Sequence, residues 1–300
     1  MITPPYLKKG NQVAIVATAR KIDLDELQEG LALLKTWGLV PVIGKTIGLQ
    51  DNQYAGDDAQ RSADFQAALN NPDIKAIWCA RGGYGTVRIV DQLDFYKFVK
   101  YPKWIVGYSD VTVLHSHLHK IGFQTIHATM PISVPDNTAY AKKSLGTALF
   151  GVPKPMTFEN AHPLNREGTG SGQLVGGNLS ILYSLCGSSS ALDSEGKILF
   201  IEDLDEYLYH IDRMVMNLKR NGMLDHLAGL IVGGMTKMHD NRIPFGKTAQ
   251  EIVWDAVKEC EYPVIFDFPA GHLDDNRALV MGAEINLTVS NKNCTINYEG

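Results

Sequence analysis

The chain has 300 residues, a formal net charge of −5 and a sequence pI near 6.0, with 45% hydrophobic and 20% charged residues. This composition is typical of a globular protein with one large core or two modest ones, and it lacks the basic field that a dedicated nucleic-acid binder needs. The sequence also lacks an apolar segment near the roughly 20 residues that span a bilayer and a recognisable secretory signal, so we expect a cytoplasmic protein without nucleic-acid or membrane partners.

Short apolar runs alternate with helix-like stretches through the amino-terminal half. Val13–Ala17 is typical of a strand buried on both faces, and the leucines that follow recur at helical spacing until Gly38. The same alternation predicts further strands at Val40–Ile43, Ala76–Ala80 and Trp104–Gly107. Alternating strands and helices imply βαβ units in a mostly parallel sheet, which binds ligands beyond the carboxyl ends of its strands.

The regular alternation fades in the middle of the chain. Phe150–Gly172 is rich in proline and glycine and has the composition of a linker. Beyond it, Lys197–Ile201 and Leu230–Gly234 are strand-like, Tyr209–Arg220 is helix-like, and the alternating tail Ala278–Tyr298 predicts antiparallel strands. The predicted organisation is an amino-terminal domain over 1–135, a linker over 136–165 and a β-rich domain over 166–300.

The segment Gly107–Asp110 places Ser109 between an apolar strand and a helical pattern. A serine on a sharp strand-to-helix turn is exposed and faces the positive end of the helix dipole, where the next amide can donate to an oxyanion. Val111 stands where the usual nucleophile elbow has its last glycine. A plain helix cap therefore remains an alternative to a nucleophile at this stage.

The segment Arg81–Gly85 closes the preceding predicted strand and carries three glycines in four positions. Such a turn lets backbone amides approach a ligand closely. Because the carboxyl ends of parallel strands meet at one edge, this turn should lie beside Ser109. A phosphate-binding loop is the alternative, but the lysine of a P-loop is missing and Arg88 stands where a dinucleotide fingerprint has glycine.

A base and an acid that could serve Ser109 follow later in the chain. His272 comes after a strand that breaks into a Pro-Ala-Gly turn, where it is a candidate base or a loop histidine bonded to backbone. Glu202 ends an apolar strand and could orient a histidine, although a run of acids also suits a solvated turn. We expect its neighbours Asp203, Asp205 and Glu206 to be solvated.

Metal-binding patterns are weak in this sequence. His115 and His119 share a helix face at i, i+4, yet the glutamate of a His-Glu-x-x-His site is missing, and a partly exposed helix face is favoured. The four cysteines are widely spaced without a Cys-x-x-Cys pair. We therefore expect no metal and no other cofactor.

Five motifs, in this order, resemble the LD-carboxypeptidase family, which also contains the microcin C immunity peptidases. These motifs are Arg81–Gly85, Gly107–Asp110, Gly176–Leu179, Phe200–Asp203 and Pro269–His272. The resemblance runs from Leu7 to His272 and so covers nearly the whole chain. One departure is Thr18–Ala19, where the family often has Pro-Ser.

The resemblance implies a flavodoxin-like amino-terminal domain with a mostly parallel sheet, a smaller β-rich α+β carboxy-terminal domain, and a homodimer. It also implies a Ser-His-Glu triad in which Ser109 is the nucleophile, His272 the general base and then acid, and Glu202 the group that fixes the imidazole tautomer. The backbone amides of the implied oxyanion hole belong to Asp110 and to Gly82 or Gly83.

The activity that the resemblance implies is hydrolysis of an LD-peptide bond, with release of terminal D-alanine from murein tetrapeptides in peptidoglycan recycling. The alternatives are an immunity-type peptidase that cleaves aminoacyl-nucleotide amides and a non-catalytic small-ligand binding protein. A terminal carboxylate needs a cation, for which Arg81 and Arg213 are candidates, although structural ion pairs explain them equally well. Tyr84 and Asn178 are further candidate contacts to the peptide substrate.

Overall fold

The structure is a computed structural model that describes residues 1–299. Its α-helices are α1 (Gln28–Thr36), α2 (Asp58–Asn70), α3 (Tyr96–Lys100), α4 (Thr112–Lys120), α5 (Ala139–Phe150), α6 (Leu179–Leu185), α7 (Leu208–Arg220) and α8 (Ala249–Val257). Its strands are β1 (Gln12–Val16), β2 (Val40–Ile43), β3 (Ile74–Cys79), β4 (Trp104–Gly107), β5 (Thr125–His127), β6 (Met156–Glu159), β7 (Gly168–Asn178), β8 (Ile198–Leu204), β9 (Gly229–Thr236), β10 (Val264–Ile265), β11 (Leu279–Met281), β12 (Glu284–Val289) and β13 (Asn293–Tyr298).

The first sheet has the order β11-β5-β4-β3-β1-β2. Strands β1 to β5 run parallel, as the alternation of strands and helices predicted. Strand β11 joins the β5 edge antiparallel and comes from far along the chain. Because β1, β3 and β4 are parallel, the loops that follow them meet at one edge of the sheet.

The second sheet has the order β10-β9-β8-β7-β12-β13-β6 and consists of two different halves. Strands β7 to β10 run parallel with helices between them, which forms a second set of βαβ units. Strands β12, β13 and β6 add an antiparallel half, as the alternating tail predicted for β12 and β13. In the parallel half, Asn178 pairs with Glu202 at the carboxyl ends of β7 and β8.

The two sheets share one buried core. A single apolar cluster includes Val106 of β4, Phe200 of β8 and Phe268 of the loop after β10. The start of α4 also packs on the end of β7, where the Asn178 amide donates to Thr112 Oγ1 at 3.0 Å. The mutual packing fixes the carboxyl-end loops of both sheets relative to each other.

The observed architecture confirms the predicted mixed α/β fold with a mostly parallel amino-terminal sheet and a second sheet. The segment 136–165, predicted as a linker, contains helix α5 and strand β6, while the domain boundaries themselves stay a prediction. Within residues 1–299, no helix is both long and apolar enough to cross a bilayer.

Candidate active site

Ser109 occupies a strained turn between β4 and α4. Its φ of +63° lies in the left-handed region, which a non-glycine residue enters at a cost of about 1–3 kcal/mol. A tight turn of 3-10 helix, Ser109–Val111, leads from the strand into α4. A Cβ on Gly107 would lie 2.8 Å from Val111 Cγ2, so the strand end needs glycine here. The turn thus has the form of a nucleophile elbow despite its missing last glycine.

His115 packs against this elbow and is buried, so the expectation of a partly exposed helix face was wrong for His115, whereas His119 is partly exposed. The side chain is buried, with Nε2 2.9 Å from the Gly107 carbonyl oxygen and Nδ1 2.8 Å from Thr125 Oγ1. Since a carbonyl only accepts, Nε2 is the protonated nitrogen and Thr125 donates to Nδ1. Burial lowers the pKa of His115 to about 3, so the ring stays neutral. His119 instead contacts Gln173 Oε1 at 3.1 Å.

The glycine turn after β3 lies directly against the serine. A Cβ on Gly82 would stand 3.1 Å from Ser109 Cβ and 3.2 Å from Ser109 Oγ. Within the described chain, the amides of Gly82 and Gly83 donate to no protein acceptor. The Asp110 amide lies in the first turn of a helix, where N–H groups lack intrahelical partners. Of the residues predicted for an oxyanion hole, Gly82 therefore lies beside the Ser109 hydroxyl, and Asp110 follows Ser109 directly in the chain.

The Asp110 side chain connects the Ser109 turn to the segment that follows the glycine turn through a hydrogen bond. Its carboxylate is buried, and Oδ2 accepts the Thr86 amide at 2.8 Å. Thr86 Oγ1 in turn donates to Thr18 Oγ1 at 2.8 Å, which links both loops to the end of β1. Burial raises the pKa of Asp110 against the effect of the hydrogen bonds from Thr86. Thr18, one of the two residues that depart from the family pattern, thus has a structural partner.

His272 and Glu202 form a buried pair on the second sheet. Nδ1 of His272 lies 2.7 Å from Glu202 Oε2, and the His272 backbone amide donates to the same oxygen at 3.2 Å. Glu202 is fully buried, whereas the His272 side chain keeps 14% exposure. A Cβ on Gly271 would stand 2.6 Å from Glu202 Oε2, so only glycine permits this approach. With Nδ1 bonded to the carboxylate, Nε2 is available as a proton acceptor.

The two groups shift each other's pKa in opposite directions. Burial alone lowers the pKa of His272, but the charge and hydrogen bond of Glu202 outweigh burial, so the pKa is above 6.5. Burial raises the pKa of Glu202, and the charge and hydrogen bond of His272 outweigh it, so that pKa is below 4.5. Each shift favours the charged form. The imidazole is consequently a stronger base than a free histidine.

Ser109 and His272 face the same cavity, which has a volume of about 550 Å³. The Tyr108 ring packs edge-on against the His272 ring at 4.8 Å between centroids and so connects the elbow to the base. No direct hydrogen bond joins the Ser109 hydroxyl to His272 within residues 1–299, and such bonds often tighten only when substrate is in place. A larger cavity of about 800 Å³, near Tyr262, contains none of the predicted site residues.

The structure brings some predicted substrate contacts to this cavity and leaves others outside. Arg81 and Asn178 line it together with Gly82 and Gly83. Tyr84 is 45% exposed and does not line the cavity. The turn directs its ring towards Tyr54, with 6.4 Å between the ring centroids. Arg213 borders a different cavity, since α7 places its guanidinium over the Tyr209 ring at 5.2 Å.

Asp203 is a site residue that the sequence interpretation missed, and the expectation of a solvated carboxylate was wrong. Only 1% of Asp203 is exposed, and it accepts hydrogen bonds from Asn178 Nδ2 and the Ser180 amide, each at 2.9 Å. Burial and the charge of Glu202 raise its pKa to about 7. Both faces of β8 are covered, so alternation cannot separate a buried acid from a solvated one.

His127 is a second buried group beside the pair. Its ring contacts Phe200 at 5.0 Å and Tyr108 at 5.8 Å between centroids, and neither ring nitrogen has a hydrogen-bond partner in the described chain. Burial lowers its pKa to about 4. His127 therefore presents a neutral ring, and its place at the end of a short strand gave no signal of this setting.

Comparisons with known proteins identify the family of the chain. Residues 13–128 match the LD-carboxypeptidase N-terminal domain, and residues 171–287 match the LD-carboxypeptidase C-terminal domain. The chain therefore belongs to the LD-carboxypeptidase family, a class of peptidases. This confirms the resemblance that the sequence motifs indicated.

Among its relatives, a probable murein peptide carboxypeptidase of Bacillus subtilis is 34% identical, over 98% of this chain and 93% of that protein. The microcin C7 self-immunity protein MccF of Escherichia coli is 26% identical, over 90% of this chain and 87% of that protein. The crystal structure of muramoyltetrapeptide carboxypeptidase from Oxalobacter formigenes superimposes with a TM-score of 0.86 at 26% identity, over 97% of this chain and 99% of that one.

Proposed function

We propose that the chain is a serine LD-carboxypeptidase that releases terminal D-alanine from murein tetrapeptides in peptidoglycan recycling. One observation carries the proposal: Ser109, in a left-handed conformation at the end of β4, faces the same cavity as His272, whose Nδ1 is bonded to the buried Glu202. This is the arrangement of a nucleophile, a base and an orienting acid, which recurs on unrelated folds.

In the proposed reaction, His272 Nε2 accepts the hydroxyl proton while Ser109 Oγ attacks the carbonyl carbon that precedes the terminal D-alanine. The amides of Gly82, Gly83 and Asp110 donate to the oxyanion of the tetrahedral intermediate. Protonated His272 then donates to the amine of D-alanine as the carbon–nitrogen bond breaks. Water attacks the acyl-enzyme, and its proton again passes to His272, which returns it to Ser109 Oγ. Glu202 remains ionised throughout and stabilises the imidazolium.

The murein substrate is supported by the names of the relatives from Bacillus subtilis and Oxalobacter formigenes. A second candidate is cleavage of an aminoacyl-nucleotide amide, which the similarity to the immunity protein MccF favours. Both substrates present a carbonyl attached to a leaving group that needs a proton, so the same catalytic residues would serve either. Recognition groups around the cavity have to decide between them.

A direct comparison of the two substrates tests the proposal. The protein is incubated separately with a murein tetrapeptide ending in D-alanine and with an aminoacyl sulfamoyl adenosine, and the products are identified by mass spectrometry. We expect release of one alanine from the tetrapeptide and none from the same peptide ending in L-alanine. Cleavage of the sulfamoyl compound alone would favour the second candidate, and an intact tetrapeptide would contradict the proposed activity.

A further inference from the structure

The cavity at Ser109 has cations and anions from different parts of the fold. Arg20 and Arg81 come from the loops after β1 and β3 of the first sheet. The carboxylates of Asp203, Asp205 and Glu206 come from the end of β8 and the loop after it. An anionic group of a substrate should therefore bind on the side of the first sheet, where the arginines lie.

Arg20 lies over the same glycine turn that contacts the nucleophile. A Cβ on Gly83 would stand 2.7 Å from Arg20 Cγ and Cδ and 3.0 Å from its Nε, so the arginine stem rests on this glycine. A Cβ on the adjacent Gly82 would stand 3.2 Å from Ser109 Oγ. Gly82 and Gly83 thus lie beside the Ser109 hydroxyl and the Arg20 stem, respectively, so a cation and the nucleophile flank two consecutive residues of one turn.

The two arginines predicted from the sequence to bind the carboxylate have other contacts. Arg81 Nη1 lies 4.0 Å from Glu26 Oε1 and donates to the Lys21 carbonyl oxygen at 3.3 Å. Arg213 is stacked on an aromatic ring outside the cavity. The guanidinium of Arg20, by contrast, makes no ion pair or hydrogen bond with any group in residues 1–299. It is exposed and keeps all its donors for a ligand.

We propose that Arg20 binds the terminal carboxylate of the D-amino acid that leaves during hydrolysis. This inference rests on the proposed function, because it assumes a substrate with a free carboxylate one residue beyond the cleaved bond. A guanidinium binds a carboxylate through two parallel hydrogen bonds, which gives direction as well as affinity. The glycine at position 83 keeps the stem close to the turn, and this fixes the distance between the bound carboxylate and Ser109 Oγ.

Calorimetric binding to Ser109→Ala tests the assignment without turnover. The ligands are a murein tetrapeptide ending in D-alanine and the same peptide with a carboxamide in place of its terminal carboxylate. We expect S109A to bind the carboxylate form at least about tenfold more tightly, since a charge-assisted bidentate contact is lost in the amide. In the double variant S109A/R20Q the two affinities should become equal within about twofold, and S109A/R20K should retain part of the preference.

Two further variants sharpen the test. Arg242→Gln in the S109A background is the matched control, because Arg242 is exposed on the loop after β9 and does not line the cavity; it should keep the full preference. Arg81→Gln should also keep most of the preference for the carboxylate form of the peptide. The assignment is overturned if S109A/R20Q still prefers the carboxylate, if the preference disappears with Arg81→Gln instead, or if S109A does not bind the tetrapeptide.

Turnover by the unmodified protein separates this inference from the proposed function. An Arg20-dependent preference in binding, together with an intact tetrapeptide after incubation with the unmodified chain, would refute the hydrolase and leave the carboxylate site standing. Release of alanine, with a kcat/KM that is unchanged in Arg20→Gln, would support the hydrolase and refute the carboxylate site. Each proposal therefore has its own failing result.

Discussion

Replacement of Ser109 by alanine is expected to lower kcat for tetrapeptide hydrolysis by about 10⁴-fold or more, while the folded structure persists. The hydroxyl is the attacking atom in the proposed reaction, and neither the oxyanion donors nor the base can replace it. Side-chain packing changes little, because Ser109 is only partly buried and lines the cavity. The measurements are steady-state kinetics and the thermal unfolding midpoint of each purified variant.

Ser109→Gly is a matched variant, since it removes the same hydroxyl and also relieves the left-handed strain at φ +63°. It should be as inactive as S109A, yet its free energy of unfolding should exceed that of S109A by up to about 1 kcal/mol. Glycine removes the penalty of the left-handed conformation, and the greater entropy of the unfolded glycine chain offsets part of that gain. If S109A retains more than about a tenth of the activity, Ser109 is not the nucleophile.

Replacement of Glu202 by glutamine is expected to lower kcat by about 10²- to 10⁴-fold and to change its pH dependence. The base has to be neutral to accept a proton, so kcat/KM of the unmodified enzyme should fall as pH decreases through the raised pKa of His272. The charge of Glu202 contributes to that rise. Its removal should therefore move the acidic limb of the profile to lower pH.

The corresponding measurement is kcat/KM from pH 5 to 9 for both proteins. Glu284→Gln serves as the control, because Glu284 is exposed on β12 and lies outside the cavity. Its profile should coincide with that of the unmodified enzyme. An acidic limb that stays in place in Glu202→Gln would mean that Glu202 does not set the basicity of His272.

Much of the parallel fold and the strand-to-helix turn that carries Ser109 could be predicted, because local patterns specify them. Apolar runs that alternate with helical spacing predicted the parallel sheet, and its geometry places the turns after β3 and β4 at one edge. The choice of His272 and Glu202 among several alternatives depended on the family resemblance. Residue patterns alone left both open, because a distance of 2.7 Å between the end of a strand and a distant loop is a tertiary property.

Other features depend on tertiary contacts that no local pattern specifies. The segment Leu279–Met281 pairs with β5 in the first sheet, although its alternation shows only that it is a strand. Helix α5 was missed because prolines and glycines dominate the residues after it, while its cap, Thr138 Oγ1 accepting the Ala141 amide at 3.1 Å, is a weak sequence signal. Arg20 and Arg81 are distinguished by contacts in the folded chain, where Arg81 lies near Glu26 and donates to the Lys21 carbonyl oxygen.

The proposed catalytic triad is tested most directly by covalent labelling with a fluorophosphonate, followed by peptide mapping in the mass spectrometer. We expect one phosphonyl group on the peptide that contains Ser109, no label in Ser109→Ala, and labelling at least about 100-fold slower in His272→Ala, where the base is lost. A label on a different residue, or an equal labelling rate without the imidazole, would contradict the triad.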